Sequence, residues 1–188
     1  LSKPLRSVLE DGYQGIELLA DFRIQDRLYL AAELGNEKKD YLEPNIIATT
    51  KGSYFKVGLN YNAYLNWVGM TNEIFTGLRY GFSSFSQELK GYDIYSTNQS
   101  FPPTFVSQNI EYSGLTAHWA EFIFGVKTEV LNNVYLSINL QLKRKLSEVV
   151  PENFNNLYIP GFNRTYDFSQ WGVGYGYTLT YLLPLFKN

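Results

Sequence analysis

The sequence predicts an all-β fold: a transmembrane antiparallel up-and-down β-barrel of eight strands, the first upstream of Leu1 or truncated there. Three observations carry this expectation. Seven stretches alternate apolar and polar residues with a period of two, as successive side chains of a strand must. Their connections alternate strictly between short and long, as in outer-membrane barrels. The third is compositional: aromatic residues reach 17% while charged residues are held to 18%, against about 25% in an ordinary soluble domain.

The strands follow in order. Ile16, Leu18, Ala20, Phe22 and Ile24 oppose Glu17, Asp21 and Arg23. Past the turn Gln25-Asp26-Arg27, Leu28, Leu30, Ala32 and Leu34 oppose Glu33. Phe55, Val57, Leu59, Tyr61, Ala63 and Leu65 oppose Lys56, Gly58, Asn60 and Asn62. Ile74, Leu78, Tyr80 and Phe82 oppose Gly77, Arg79, Gly81 and Ser83. Ala120, Phe122, Phe124, Val126 and Val130 oppose Glu121, Gly125, Lys127 and Glu129, and Val134 to Leu142 alternates with Ser137, Asn139, Gln141 and Lys143. The last run sets Trp171, Val173, Tyr175, Tyr177, Leu179 and Tyr181 against glycines and threonines. At ~9 to 13 residues these strands suit a tilted bilayer crossing.

The short connections are 25–27, 66–72 and 131–133; the long loops, 36–51, 87–117 and 147–170, share one side of a single domain spanning 1–188. Barrels of this class have an even strand number and both termini on the short-turn side. The expectation is therefore a further strand before Leu1, with Leu1 to Pro4 as its tail and Leu5 to Gly12 as a loop.

Alternation defines two faces without saying which is inside. A soluble barrel would put the apolar face inward. The opposite face holds Glu17, Asp21, Arg23, Glu33, Lys56, Arg79, Glu121, Lys127, Glu129, Lys143 and, by extension, Lys145. Its near balance of sign suits an enclosed lumen, where charges must pair. Repeated glycine on that face leaves room for long ionic side chains. Phe55, Phe82, Phe122, Trp171 and Tyr175 sit towards the loop end of the apolar face and Tyr181 towards the other, as in aromatic girdles. The closing segment Tyr181 to Phe186 is similar to the C-terminal signal of outer-membrane clients.

The stretches TTKGSYFKVGLNYN (49–62), GLRYGFSSF (77–85), YSGLTAHW (112–119), NLYIPGFN (156–163) and GVGYGYTLTYLLPL (172–185) resemble a family of small outer-membrane proteins of unknown function from Bacteroidota, over nearly the whole chain. The resemblance implies an eight-stranded barrel with a strand ahead of Leu1, located in the bacterial outer membrane. It also implies an accessory role in a larger assembly, with barrel-assembly machinery as the leading candidate. It brings no catalytic motif.

Other functions are constrained residue by residue. A pI near 5.5 gives nucleic acid no basic surface, and the absence of cysteine removes disulfides and thiolate sites. The longest apolar run, Leu28 to Ala32, is too short for a spanning helix. His118 is the sole histidine, so a multi-histidine metal site is impossible and a hydrolase or acyltransferase would depend on this one ring, near Glu121. No nucleophile-elbow motif accompanies it, and the expectation is no catalysis and no cofactor. Glu17 and Asp21, about 13 Å apart on an extended strand, exceed glycosidase separations. Eight strands enclose a space that side chains fill, so the lumen is expected to be plugged. Partner contact falls to the aromatic loops, through Tyr92, Tyr95, Phe101, Phe105, Tyr112, Phe154, Tyr158 and Phe162. The reading is a non-catalytic accessory or structural subunit among outer-membrane lipid and proteins, the alternative a free-standing adhesin-like or ligand-binding barrel.

Overall fold

A computed structural model describes residues 1–43, 45–64, 72–94, 104–165 and 168–183. Helix α1 (Ser2–Leu9) leads into strands β1 (Tyr13–Gln25), β2 (Leu28–Glu43), β3 (Ile46–Asn62), β4 (Glu73–Ile94), β5 (Thr104–Leu131) and β6 (Val134–Glu148). A short hairpin of β7 (Tyr158–Ile159) and β8 (Asn163–Arg164) precedes the last strand, β9 (Trp171–Tyr181). Among the described residues, no helix is long and apolar enough to cross a membrane. β1 to β6 and β9 form one sheet in chain order, every pairing antiparallel.

The faces divide as the alternation predicts, and the polar face is the inner one. Glu33, Lys56, Arg79, Glu121 and Lys143 are buried, whereas Leu18, Leu34, Leu78, Phe124, Leu140 and Val173 are exposed on the other side. The register sharpens the boundary. Outward-facing Leu34, Phe55, Phe82 and His118 are successive cross-strand partners, and His118 pairs with Ser147; one outward step towards the short turns, the partners are Ala32, Val57, Tyr80, Ala120, Arg144 and Trp171. One outward step from the Leu34 level towards the long-loop side, the partners are Asn36, Ser53, Ser84 and Thr116. The change from aromatic to hydroxyl and amide side chains thus falls at one level across four strands.

Three expectations need correction. The segments 36–51 and 87–117 are mostly strand among the described residues: β2 and β3 pair out to Glu43 and Ile46, and β4 and β5 out to Ile94 and Thr104. These hairpins persist because their inner face still has something to pack on. Ala48, Thr50, Gln87 and Leu89 are buried there, with the Gln87 side chain bonding the backbone of Asn155 and Leu157. Second, the loop after β6 does not stay at the rim. Its β7–β8 hairpin turns inward, burying Ile159 and Phe162 against Tyr54, Phe85, Leu115, Ala117 and Trp119, and burying Tyr158 beside Glu37.

Third, the described sheet has seven strands, and it is not closed. Six antiparallel pairings leave β1 and β9 running in the same direction as unpaired edges. Where a strand tail and loop were expected, the chain forms α1, which lies against both edges. Leu1, Leu5, Val8 and Leu9 recur at helical spacing and face outwards, Val8 and Leu9 being 83% and 76% exposed. Lys3, Arg6 and Ser7 face in, and the Ser7 hydroxyl accepts an edge amide of β1 from Gly15 at 3.0 Å. The helix thus divides apolar and polar residues as the sheet does. The expected segment to Phe186 ends as strand at Tyr181, and 184–188 lie outside the described residues.

Candidate functional site

The sheet interior is the candidate site, and cross-strand register assembles it. One inward level runs Glu33, Lys56, Gly81 and Trp119; the next runs Ala31, Gly58, Arg79, Glu121, Lys143 and Gly172. Acid and base alternate along and between these levels, with glycines beside the largest groups. A Cβ on Gly81 would stand 2.2 Å from the Trp119 ring, so the bare backbone there is what admits the indole.

Lys56 is the hub. Only 2% of its side chain is exposed, and its Nζ lies 2.7 Å from Glu33, 3.5 Å from Glu17 and 3.7 Å from Glu121. Arg79 shares Glu33 at 3.3 Å and also donates to Asn60 and to the Leu59 carbonyl. Lys143 lies 3.9 Å from Glu121 and donates to the Gly161 carbonyl at 2.7 Å, which ties the network to the inward hairpin. The Tyr54 hydroxyl donates to Glu17 at 2.5 Å and the Trp119 indole N–H to Glu121 at 3.2 Å. Charges removed from water need such mutual satisfaction, because an uncompensated one costs several kcal/mol.

The structure thus brings Glu17, Glu33, Lys56, Arg79, Glu121 and Lys143 into one network. The other expected members lie elsewhere. Asp21 pairs with Lys127 at 3.0 Å towards the short-turn end, where Lys127 also meets Glu73. Lys145 pairs with Glu148 at the other end, while Arg23 and Glu129 are exposed. Distance from the strand middle separates these groups from the network, which same-face alternation alone does not register.

Of the aromatic contact candidates, Phe105 is exposed, Tyr92 is half-buried, and Tyr112 is half-buried with its ring stacked on Phe154 at 5.9 Å. Tyr158 and Phe162 are inside the sheet and present no surface to a partner, since both have apolar or ion-bonding neighbours there. Tyr95 and Phe101 lie outside the described residues.

Sequence reasoning missed the latch at the mouth. Glu37, fully buried, accepts from the Tyr158 hydroxyl at 2.5 Å and from the Gly161 N–H at 3.2 Å, and ion-pairs with Lys3 of α1. Arg6 adds a bond to Asn163 at 3.3 Å. Wall, hairpin and helix therefore meet at one carboxylate. The signal is parity: within the mixed-charge run Glu37-Lys38-Lys39-Asp40, Glu37 continues the inward alternation of Glu33.

Arg6 also binds Glu10, which pairs with Lys39 at 2.7 Å. The Arg6 hydrogen bond, against an opposing effect of burial, draws the Glu10 carboxyl from 4.5 to about 2. A depressed carboxyl favours the fastened state above its free value and loses that contribution as pH falls. Release of α1 is therefore expected between pH 4.5 and about 2. The protection factor of the Gly15 amide, its exchange taken relative to the intrinsic rate at each pH, should fall over that window, and Glu10→Gln should flatten the dependence.

His118 and Glu121 sit on opposite faces, so the pairing that a hydrolase would use is not assembled. The His118 ring faces out, its Nδ1 2.5 Å from the Tyr80 hydroxyl. Among the described residues, no group of three or more His, Asp or Glu side chains could hold a metal ion.

Fold and site together define the class: an antiparallel up-and-down sheet, apolar outside, with an interior filled by ion pairs and an inserted hairpin. The chain belongs to the family described as Domain of unknown function (DUF6048), whose model matches residues 1–188. No curated protein and no solved structure matches it.

Proposed function

We propose that this chain is a plugged β-barrel of the bacterial outer membrane, acting as a non-catalytic accessory or structural subunit of a larger outer-membrane protein complex. One observation carries the reading: the outward face is apolar up to a single cross-strand level and hydroxyl-bearing beyond it, while the ionic groups are inside. Water would favour the reverse, whereas lipid favours this arrangement. The apolar outer stripe of α1 extends the same surface between the sheet edges.

An eighth strand completes the barrel in this reading. β1 and β9 run in the same direction, so a strand of opposite direction pairs antiparallel with both along the edges that α1 leaves open. Within lipid the unpaired edges would otherwise cost several kcal/mol per backbone group. The filled interior supports a structural role over transport, and the β2–β3 and β4–β5 hairpins, reaching past the apolar level, supply the contact surface.

Affinity purification from membranes in mild detergent tests the proposal. The chain should need detergent for extraction and should carry a partner at fixed stoichiometry, which mass spectrometry would compare with barrel-assembly components. Recovery of the monomer alone would instead favour the adhesin-like reading, for which the exposed Phe105 on the β4–β5 hairpin speaks.

A further inference from the structure

The ring of outward side chains one step on the short-turn side of the apolar boundary is uncharged except at one place. Ala32, Val57, Tyr80, Ala120 and Trp171 share the level with Arg144. Arg144 is exposed, and its guanidinium lies 5.5 Å from the Trp171 ring. Among the described residues, no carboxylate pairs with it. The inward cations Lys56, Arg79 and Lys143 instead each meet a carboxylate.

An arginine on a lipid-facing surface is costly unless its head reaches the interface. This one stands one outward step inside the level where apolar rings give way to hydroxyl groups, and its long stem lets the head reach towards that boundary. Its cross-strand partner Ala120 is small and leaves a step beside Arg144. The indole holds the guanidinium by a cation–π contact while the fork geometry remains able to take two phosphate oxygens.

We propose that Arg144, backed by Trp171, is a binding site for the phosphate of an anionic lipid headgroup on the long-loop side of the barrel. The site rests on the membrane reading above. A guanidinium at a bilayer surface contributes about 1 kcal/mol, or about a fivefold preference for the anionic lipid.

Quenching of Trp171 by brominated lipids measures this in the full-length protein reconstituted into vesicles. The difference between wild type and Trp171→Phe isolates the signal of that ring. Brominated phosphatidylglycerol and brominated lipid A should each quench about fivefold more effectively per bound lipid than brominated phosphatidylcholine. Arg144→Gln should bring the ratio to one, and Arg144→Lys should retain most of it. Equal quenching by all three lipids in the wild type, or a preference that survives Arg144→Gln, overturns the site while leaving the membrane reading standing. Absence of quenching by any lipid sinks the membrane reading itself.

Discussion

Lys56→Met will lower the unfolding free energy by about 3–5 kcal/mol, the cost of removing one partner from a buried ionic group. The size follows from geometry: Lys56 lies within 3.7 Å of Glu33, Glu17 and Glu121, all on the inner face. Without the ammonium, three carboxylates share a site in which Arg79 reaches Glu33 and Lys143 reaches Glu121, leaving Glu17 with the Tyr54 hydroxyl as its hydrogen-bond partner among the described residues. Urea titration in detergent, read by the gel shift between folded and unfolded forms, measures the loss. Adding Glu33→Gln to Lys56→Met should return part of it, because both charges of the closest pair are then gone. A single-variant loss below about 1 kcal/mol, with strictly additive behaviour in the double variant, would show that the charges are not coupled.

Glu37→Ala will release two elements at once. This carboxylate accepts from Tyr158 and Gly161 of the inserted hairpin and pairs with Lys3 of α1, so its loss unfastens both from the wall. At about 3 kcal/mol for a buried charged partner removed, amide exchange should rise about 100-fold in 157–163 and in 3–9, with the strand middles unaffected. Tyr158→Phe removes one charge-assisted bond and should accelerate the hairpin alone by a smaller factor. Unchanged exchange in both segments of Glu37→Ala would mean that apolar packing around Phe162 and Ile159 holds the hairpin without the latch.

Much of the sheet was legible because burial on one side imposes a period of two on any strand. That same cause made the inner face ambiguous, since alternation is identical whichever side meets water. Glycine resolved part of it: Gly81 beside Trp119 and Gly172 beside Phe162 mark volume filled by a neighbour. Strand ends were illegible where both faces carry polar groups, as from Asn36 to Asp40 and from Gln87 outwards. There the backbone ladder continues although the hydrophobic signal stops. Helix α1 is eight residues long with Pro4 in its first turn, too short for its stripe to stand out, and its position depends on Glu37, Tyr158 and Asn163, far along the chain. The central network could be read because its members share inward parity. The inserted hairpin could not, because Tyr158, Ile159 and Phe162 would suit an exposed contact equally well.

The order of the strands has a consequence for how the chain acquires its shape. Among the described residues, each strand of the sheet pairs with its neighbour in sequence, with the β7–β8 hairpin inserted before β9. Such a meander can grow hairpin by hairpin, with little loop entropy to overcome at each step. The bonds from Arg6 to Tyr158 and Asn163 span 152 and 157 residues and have no such shortcut. They form after the meander has curled far enough to bring its ends together. On loop-closure grounds the seam at α1 is expected to assemble last.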